Sequence, residues 1–405
     1  MGQPEYQAPS EQDWAKPFRN YREEILRDYG DNIGKGLAEL VTPALILDRK
    51  ILTRNIKKMT AAVADSKVAL RPHTKVQKST DLARIQIEAG AVGVTVSTVW
   101  EAAAMFASGV QSVLIANLVV GQSKIDCLAI IAKHGDLIIT VDDLENIDNI
   151  SHALKKHGSK VSVLIDLDVG MGHCGARSSR EALRLADQVA SHPNMILKGI
   201  QAYEGHCMLE PDPEMRVTLA NEAMDYAGSV LELIAAKCPS AIVLSGGGTG
   251  TYNITGKHPL VTELQAGSFV FMDSFHGDLV PDFEISLTVL ATVTARHENR
   301  IILDAGRKSI GIDFAPPRIK NSDLVANFCA EEKAIFDVSP EDNFEAGDRV
   351  ELVSGYAPTT VNLHDVIFLI EDEKVIDLWP VFPRGPQDKG FLSSLQSSSK
   401  SGSLG

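Results

Sequence analysis

The sequence lacks long apolar runs: no stretch approaches the roughly eighteen consecutive apolar residues that read as a membrane-spanning helix. Aromatic residues make up only 6% of the chain. Positive charge is also scarce, with 39 lysines and arginines against 53 aspartates and glutamates, a formal net charge of −14 and a pI near 5.3. An acidic chain with no basic cluster is repelled by a phosphate backbone or an anionic lipid surface, so neither nucleic acid nor membrane is an expected partner. The five cysteines (Cys127, Cys174, Cys207, Cys238 and Cys329) are odd in number, scattered and free of CxxC pairs. That excludes a disulfide framework and points to free thiols in a reducing compartment. Met1 to Asn20 is polar and has no apolar core of a signal peptide, so the expected localisation is cytoplasmic.

A chain of 405 residues with 44% hydrophobic content is long enough for two domains. Short β-branched runs alternate with amphipathic stretches from residue 43 onward. The runs are 43–48, 68–72, 93–97, 112–117, 137–142, 161–168, 197–203 and 241–245, and the helical stretches include 52–64, 99–107, 123–133, 181–190 and 217–236. Eight runs at a spacing of roughly 25 residues predict an α/β fold, a (β/α)8 TIM barrel, over an open doubly wound sheet. After residue 285 the runs 285–295, 300–304, 333–336, 349–353 and 366–370 are strand-like and lack long helices between them. They predict a β-rich C-terminal domain. The expected division is an N-terminal helical extension over 1–35, a barrel over 36–285, a β-domain over 286–385 and a disordered tail over 386–405. The tail is low in complexity, with seven serines from Ser393 to Gly405.

In a barrel, function collects where the strands end, because the loops converge there. The residues at those ends are Lys75, Ser97, Asn117, Asp142, Asp168 with His173, Tyr203 with His206, and Ser245. Each one singly also suits a helix cap, and only the set points to a small-molecule site. Lys75 follows the apolar run Val68-Ala69-Leu70 within Arg71-Pro72-His73-Thr74-Lys75. A lysine partly desolvated at such a rim has a depressed pKa, and its neutral amine forms a Schiff base with an aldehyde. The eighth run leads into Ser245-Gly246-Gly247-Gly248-Thr249-Gly250-Thr251-Tyr252. Consecutive glycines let backbone N–H groups converge on an anion, and this loop matches neither GxxxxGK[ST] nor GxGxxG. A rim lysine facing a phosphate cradle predicts pyridoxal 5'-phosphate as cofactor.

Over residues 38–383 the sequence resembles the alanine-racemase-fold pyridoxal phosphate enzymes of the D-threonine aldolase and D-serine dehydratase group. The resembling stretches are Arg71–Lys75, Asp168-Val169-Gly170 with Cys174-Gly175, Gln201–His206, the glycine loop, Gln265-Ala266-Gly267-Ser268, Asp304–Lys308 and Thr360–Asp365. The resemblance implies that Lys75 carries the cofactor, that Tyr203 lies by its ring, and that Ser245, Gly248, Thr249, Gly267 and Ser268 border its phosphate. It also implies a homodimer, with the site near the junction of the two domains.

Five positions depart from the family pattern. Where the family places a histidine and, two residues on, a cysteine or aspartate as divalent-metal ligands, this chain has Tyr356 and Pro358. A proline has no ligand atom and a neutral phenol is a poor one, so no protein metal site is expected there. His173 stands in place of an arginine, Gln77 in place of a histidine, and Phe269 in place of a tyrosine. The resemblance implies a lyase of aldolase or dehydratase type acting on a 3-hydroxy D-amino acid. In the absence of metal, the acid–base role falls to Tyr356, His173, His206 or His364. An amino-acid racemase pairing Lys75 with Tyr356 is the alternative, and a non-catalytic pyridoxal phosphate carrier is a further one.

Overall fold

A computed structural model of the chain describes residues 15–64 and 66–385. The tail expected to be disordered, 386–405, lies outside the described residues.

Chain order begins with strand β1 (Ala44–Asp48). The next eight strands are β2 (Ala69–Leu70), β3 (Val94–Val96), β4 (Ser112–Leu118), β5 (Asp136–Val141), β6 (Val161–Asp166), β7 (Met195–Ala202), β8 (Val243–Gly246) and β9 (Glu263–Leu264). They form a parallel sheet in the order β2-β9-β8-β7-β6-β5-β4-β3. Its two ends meet at a parallel bridge between His73 and Thr95, where the Thr95 N–H donates to the Pro72 carbonyl at 2.9 Å. The sheet therefore curls into a barrel with helices outside it. Both faces of its strands are covered, which is why β3, β5 and β6 are buried almost throughout, with no alternation of buried and exposed residues.

The first run does not belong to this barrel. Four of the five residues of β1 are buried, so it looks like a barrel strand in sequence, yet it pairs antiparallel with β10 (Leu287–His297) and parallel with β16 (Val366–Glu371). The eighth barrel strand is β9, whose two residues are too few to show a period.

The second sheet is mostly antiparallel. Besides β1, β10 and β16 it contains β11 (Arg300–Leu303), β12 (Arg318–Ile319), β13 (Ala326–Cys329), β14 (Ala334–Asp337), β15 (Arg349–Val353) and β17 (Lys374–Pro380). β10 pairs with β1 and β15 along its first half and with β11 along its second, and its register shifts between Val293 and Ala295. The helix Lys16–Tyr29 bears on both parts of the molecule. Tyr21 stacks on Phe382 beyond β17 with centroids 4.4 Å apart, and Arg22 pairs with Asp81 of a barrel helix at 2.7 Å.

Candidate active site

Lys75 sits in a single 3-10 turn, Thr74–Val76, at the end of β2. Proline at position 72 turns the chain away from helix, and the Thr74 hydroxyl is tied to the Thr95 carbonyl at 3.1 Å. Lys78 follows with a left-handed φ of 43° and pairs with the buried Glu101 at 2.6 Å, which fixes the far end of the turn. The His73 Nδ1 accepts the Lys75 N–H at 3.3 Å. Burial, and after it the neighbouring Lys75 charge, push the His73 pKa well below the usual histidine range. Burial likewise lowers the pKa of Lys75, against the opposing pull of Glu101. The Lys75 side chain has open surface because it borders a cavity, and the protein around it supplies the desolvation.

That cavity has a volume of about 480 Å³ and opens at the C-terminal ends of the barrel strands. It gathers Lys75, Tyr203, Gly248, Thr249, Gly267, Ser268, His173 and Tyr356 on one wall or another. The Lys75 Nζ lies 5.6 Å from the centre of the Tyr203 ring. Ser245 is not among the lining residues: its hydroxyl donates to Glu263 at 2.7 Å and accepts from Gln265 at 2.9 Å inside the barrel. His206 is not at the wall either and packs beneath Gly170, where an added Cβ would come within 2.6 Å of its ring. His364 is engaged with the Ser309 carbonyl at 2.7 Å, away from the cavity.

Four acidic or basic residues that sequence reasoning missed complete the site. Glu204 is fully buried and accepts from the Gly247 N–H at 3.0 Å, from the Thr251 hydroxyl at 2.7 Å and from the Thr255 hydroxyl. It ties the end of β7 to the glycine loop, which Gly247 turns at φ +75°. Asp166 lines the cavity at the end of β6, and burial pushes its pKa up to about 6 against the hydrogen bond from Gln201. Asp273 and His276 belong to a short helix, Ser274–Leu279, capped by the Asp273 side chain. The His276 ring stacks on Tyr356 with centroids 5.9 Å apart and planes 14° apart. The signal that could have found this pair is the Asp-x-x-His spacing, which places a cap acceptor and an imidazole one turn apart.

The donor set and shape suit pyridoxal phosphate. A side chain at Gly267 would strike the His73 carbonyl at 2.4 Å, and one at Gly248 would press on Met208 and Tyr203, so bare backbone borders this end of the cavity. The Thr249 hydroxyl accepts the Phe269 N–H at 3.0 Å and holds the two loops together. An aromatic face beside a lysine with a lowered pKa lies next to that cradle. Among the described residues, no group of three or more His, Cys, Asp or Glu side chains is placed to hold a metal ion.

The alanine racemase N-terminal domain family matches residues 47–275, and the putative serine dehydratase domain family matches residues 286–370. A D-threonine aldolase of Arthrobacter sp is 34% identical, over 87% of this chain and 95% of that protein. A 3-hydroxy-D-aspartate aldolase of Paracoccus denitrificans is 32% identical, over 88% and 95% respectively. Among solved structures, the D-threonine aldolase from Filomicrobium marinum superposes with a TM-score of 0.84 at 30% identity, covering 87% of this chain and 98% of that one. With both domains matched and the cofactor cradle in place, the chain belongs to the D-threonine aldolase and D-serine dehydratase group of alanine-racemase-fold, pyridoxal phosphate-dependent lyases.

Proposed function

We propose that this enzyme cleaves 3-hydroxy D-amino acids, either by breaking the Cα–C3 bond in a retro-aldol reaction or by dehydration. The observation that carries the reading is that Lys75, Tyr203, Tyr356 and His276 line one cavity together with Gly248 and Thr249 of the glycine loop and Gly267 and Ser268. Pyridoxal phosphate, when bound, supplies an electron sink for the amino acid joined to it. Gly248, Thr249, Gly267 and Ser268 would hold its phosphate, Tyr203 would flank its ring, and Lys75 would hold its aldehyde carbon.

Lys75 also serves as a proton carrier at Cα, because its lowered pKa favours the neutral amine. Burial, followed by the carboxylates of Asp273 and Asp313, pushes the Tyr356 pKa up. Tyr356 therefore stays a neutral phenol and donates its hydrogen bond to the oxygen at C3. A raised phenol pKa also weakens the racemase reading, in which this tyrosine would have to act as a base. His173 stands at the rim with its Nδ1 accepting the Cys174 N–H at 2.6 Å, a place suited to a substrate carboxylate. No catalytic metal is invoked, since Tyr356 and Pro358 offer none of the ligand atoms that the family pattern places there.

A homodimer in a reducing compartment fits the five free cysteines and the exposed Leu209 and Phe314 at the cavity mouth. No described helix is long and apolar enough to cross a membrane. Incubating the holoenzyme with D-threonine and D-serine tests the function. A carbonyl product supports it, the L-enantiomer would establish the racemase, and no product from a panel of 3-hydroxy amino acids would remove the lyase. Tyr356→Phe should lower kcat by about 10²-fold while leaving cofactor absorbance intact.

A further inference from the structure

We propose that His276, aligned by Asp273, is the base that takes the proton from the substrate's C3 hydroxyl. The inference rests on the lyase reading and assigns the role that a metal would otherwise fill. Asp273 has no exposed surface. Its Oδ1 accepts both the backbone N–H and the Nδ1 of His276, each at 2.8 Å, and its Oδ2 accepts the Ala357 N–H at 2.8 Å. A carboxylate can only accept, so the proton of the neutral ring sits on Nδ1 and Nε2 carries a bare lone pair. His276 lines the cavity, and Nε2 is the nitrogen left for it: it has no hydrogen-bond partner among the described residues and is not a buried orphan. Stacking on Tyr356 and an edge-on contact with Phe275 at 5.2 Å hold the ring in place.

The same carboxylate thus fixes a base on the barrel side and the start of the helix Ala357–Asn362, whose cap residue is Tyr356, on the other. A proton acceptor and a phenol donor share one rigid frame across the junction of the two sheets. The other imidazoles are less suited. Both nitrogens of His73 are engaged, with the Lys75 N–H and the Thr95 backbone, His206 is off the wall, and His173 is at the exposed rim.

In the retro-aldol direction the Nε2 of His276 takes the hydroxyl proton, and the O–H electron pair becomes the second bond of a C3 carbonyl. The Cα–C3 bond breaks with its pair left on Cα, Cα takes a proton relayed from solvent through Lys75, and His276 returns its gained proton to solvent, so that charge and atoms balance. The Tyr356 phenol holds the C3 oxygen throughout. Asp273 is a positioning residue: it sets the tautomer of the ring and never touches the substrate.

The test uses His276→Gln and Asp273→Asn holoenzymes with a 3-hydroxy D-amino acid that the wild type cleaves. His276→Gln should lose about 10²–10⁴-fold in kcat with little change in KM. The absorbance change on adding D-alanine, which has no C3 hydroxyl, should keep its half-saturation concentration. Nitrogen-15 NMR of the wild-type imidazole should show Nδ1 protonated and Nε2 bare in the neutral ring, and Asp273→Asn should shift that tautomer balance and lower kcat. A wild type that cleaves nothing sinks the lyase reading itself. A wild type that cleaves, with His276→Gln turning over within about threefold of it, overturns this inference alone. So does an NMR spectrum with the proton on Nε2.

Discussion

The Glu204 carboxylate lies 3.0 Å from the backbone nitrogen of Gly247, so one fully buried charge at the end of β7 fixes the loop that follows β8. Glu204→Ala would leave the Gly247, Thr251 and Thr255 donors unpaired, at about 1–3 kcal/mol each before the hydroxyls find new partners. The variant should therefore melt well below wild type and lose its yellow colour on dialysis. Glu204→Gln, which retains one acceptor oxygen, should fall between the two. Cofactor retention equal to wild type in Glu204→Ala would mean that the loop holds its shape without the carboxylate.

Lys75 should be the residue that carries the cofactor. Its pKa is lowered by burial, whereas Lys78 is committed to Glu101 at 2.6 Å and Lys308 to Glu332 at 2.6 Å. Borohydride reduction followed by peptide mapping should place the label on Lys75. Because the neutral amine is the reactive form, cofactor uptake by stripped protein should speed up as pH rises and level off at lower pH than for an ordinary lysine. A label on Lys78 or Lys308, or uptake that still climbs through the usual lysine range, would remove the assignment.

Lys75 and the glycine loop were legible because local chemistry specifies them: an apolar run stopped by Pro72, and glycines adjacent in sequence. What stayed hidden depends on partners far along the chain. Glu204 is explained only by donors 43, 47 and 51 residues later. The Asp273–His276 pair follows the buried run Phe269–Met272, which looks like a strand and conceals the short helix after it. β1 carries a barrel-like pattern because its residues are buried in either sheet, and only its pairing with β10 and β16 tells the two apart. Ser245 sits where the family resemblance expects a phosphate neighbour, yet its hydroxyl serves the buried Arg71–Glu263 pair.

Asp166 should impose a pH dependence on stability. Its carboxyl rises from the ordinary 3.8 to about 6, so between those values the folded protein keeps a proton that the unfolded chain has released. Bound protons then favour the folded state, and stability falls as pH rises through that window and is flat above it. Asp166→Asn removes the buried charge, so its stability relative to wild type should grow from about pH 4 to about pH 6 and stay constant beyond. Urea midpoints across this range measure it. Parallel curves for the two proteins would show that Asp166 ionises as freely as an exposed carboxylate.

The substrate's C3 substituent should be uncharged. Once Lys75 holds the cofactor, no other lysine or arginine among the described residues lines the cavity. Burial opposes the charge of Asp168, but the backbone N–H groups of Gly172, Gly170 and Met171 outweigh it and keep its carboxyl below the usual range, so a fixed negative charge stands at the wall. Phe275 and Phe314, which also line the cavity, stack with centroids 4.7 Å apart, and Phe314 is held at a left-handed φ of 63°. A second carboxylate at C3 would meet a like charge and an apolar wall, while a methyl or phenyl group would meet the aromatic pair. D-Threonine should therefore surpass 3-hydroxy-D-aspartate in kcat/KM by more than about tenfold, equivalent to about 1.4 kcal/mol. Phe314→Ala should raise KM for D-3-phenylserine more than for D-threonine, because only the larger group reaches that ring. Equal or better turnover of 3-hydroxy-D-aspartate would show that a cation reaches the site from elsewhere, and a partner subunit would be the first place to look.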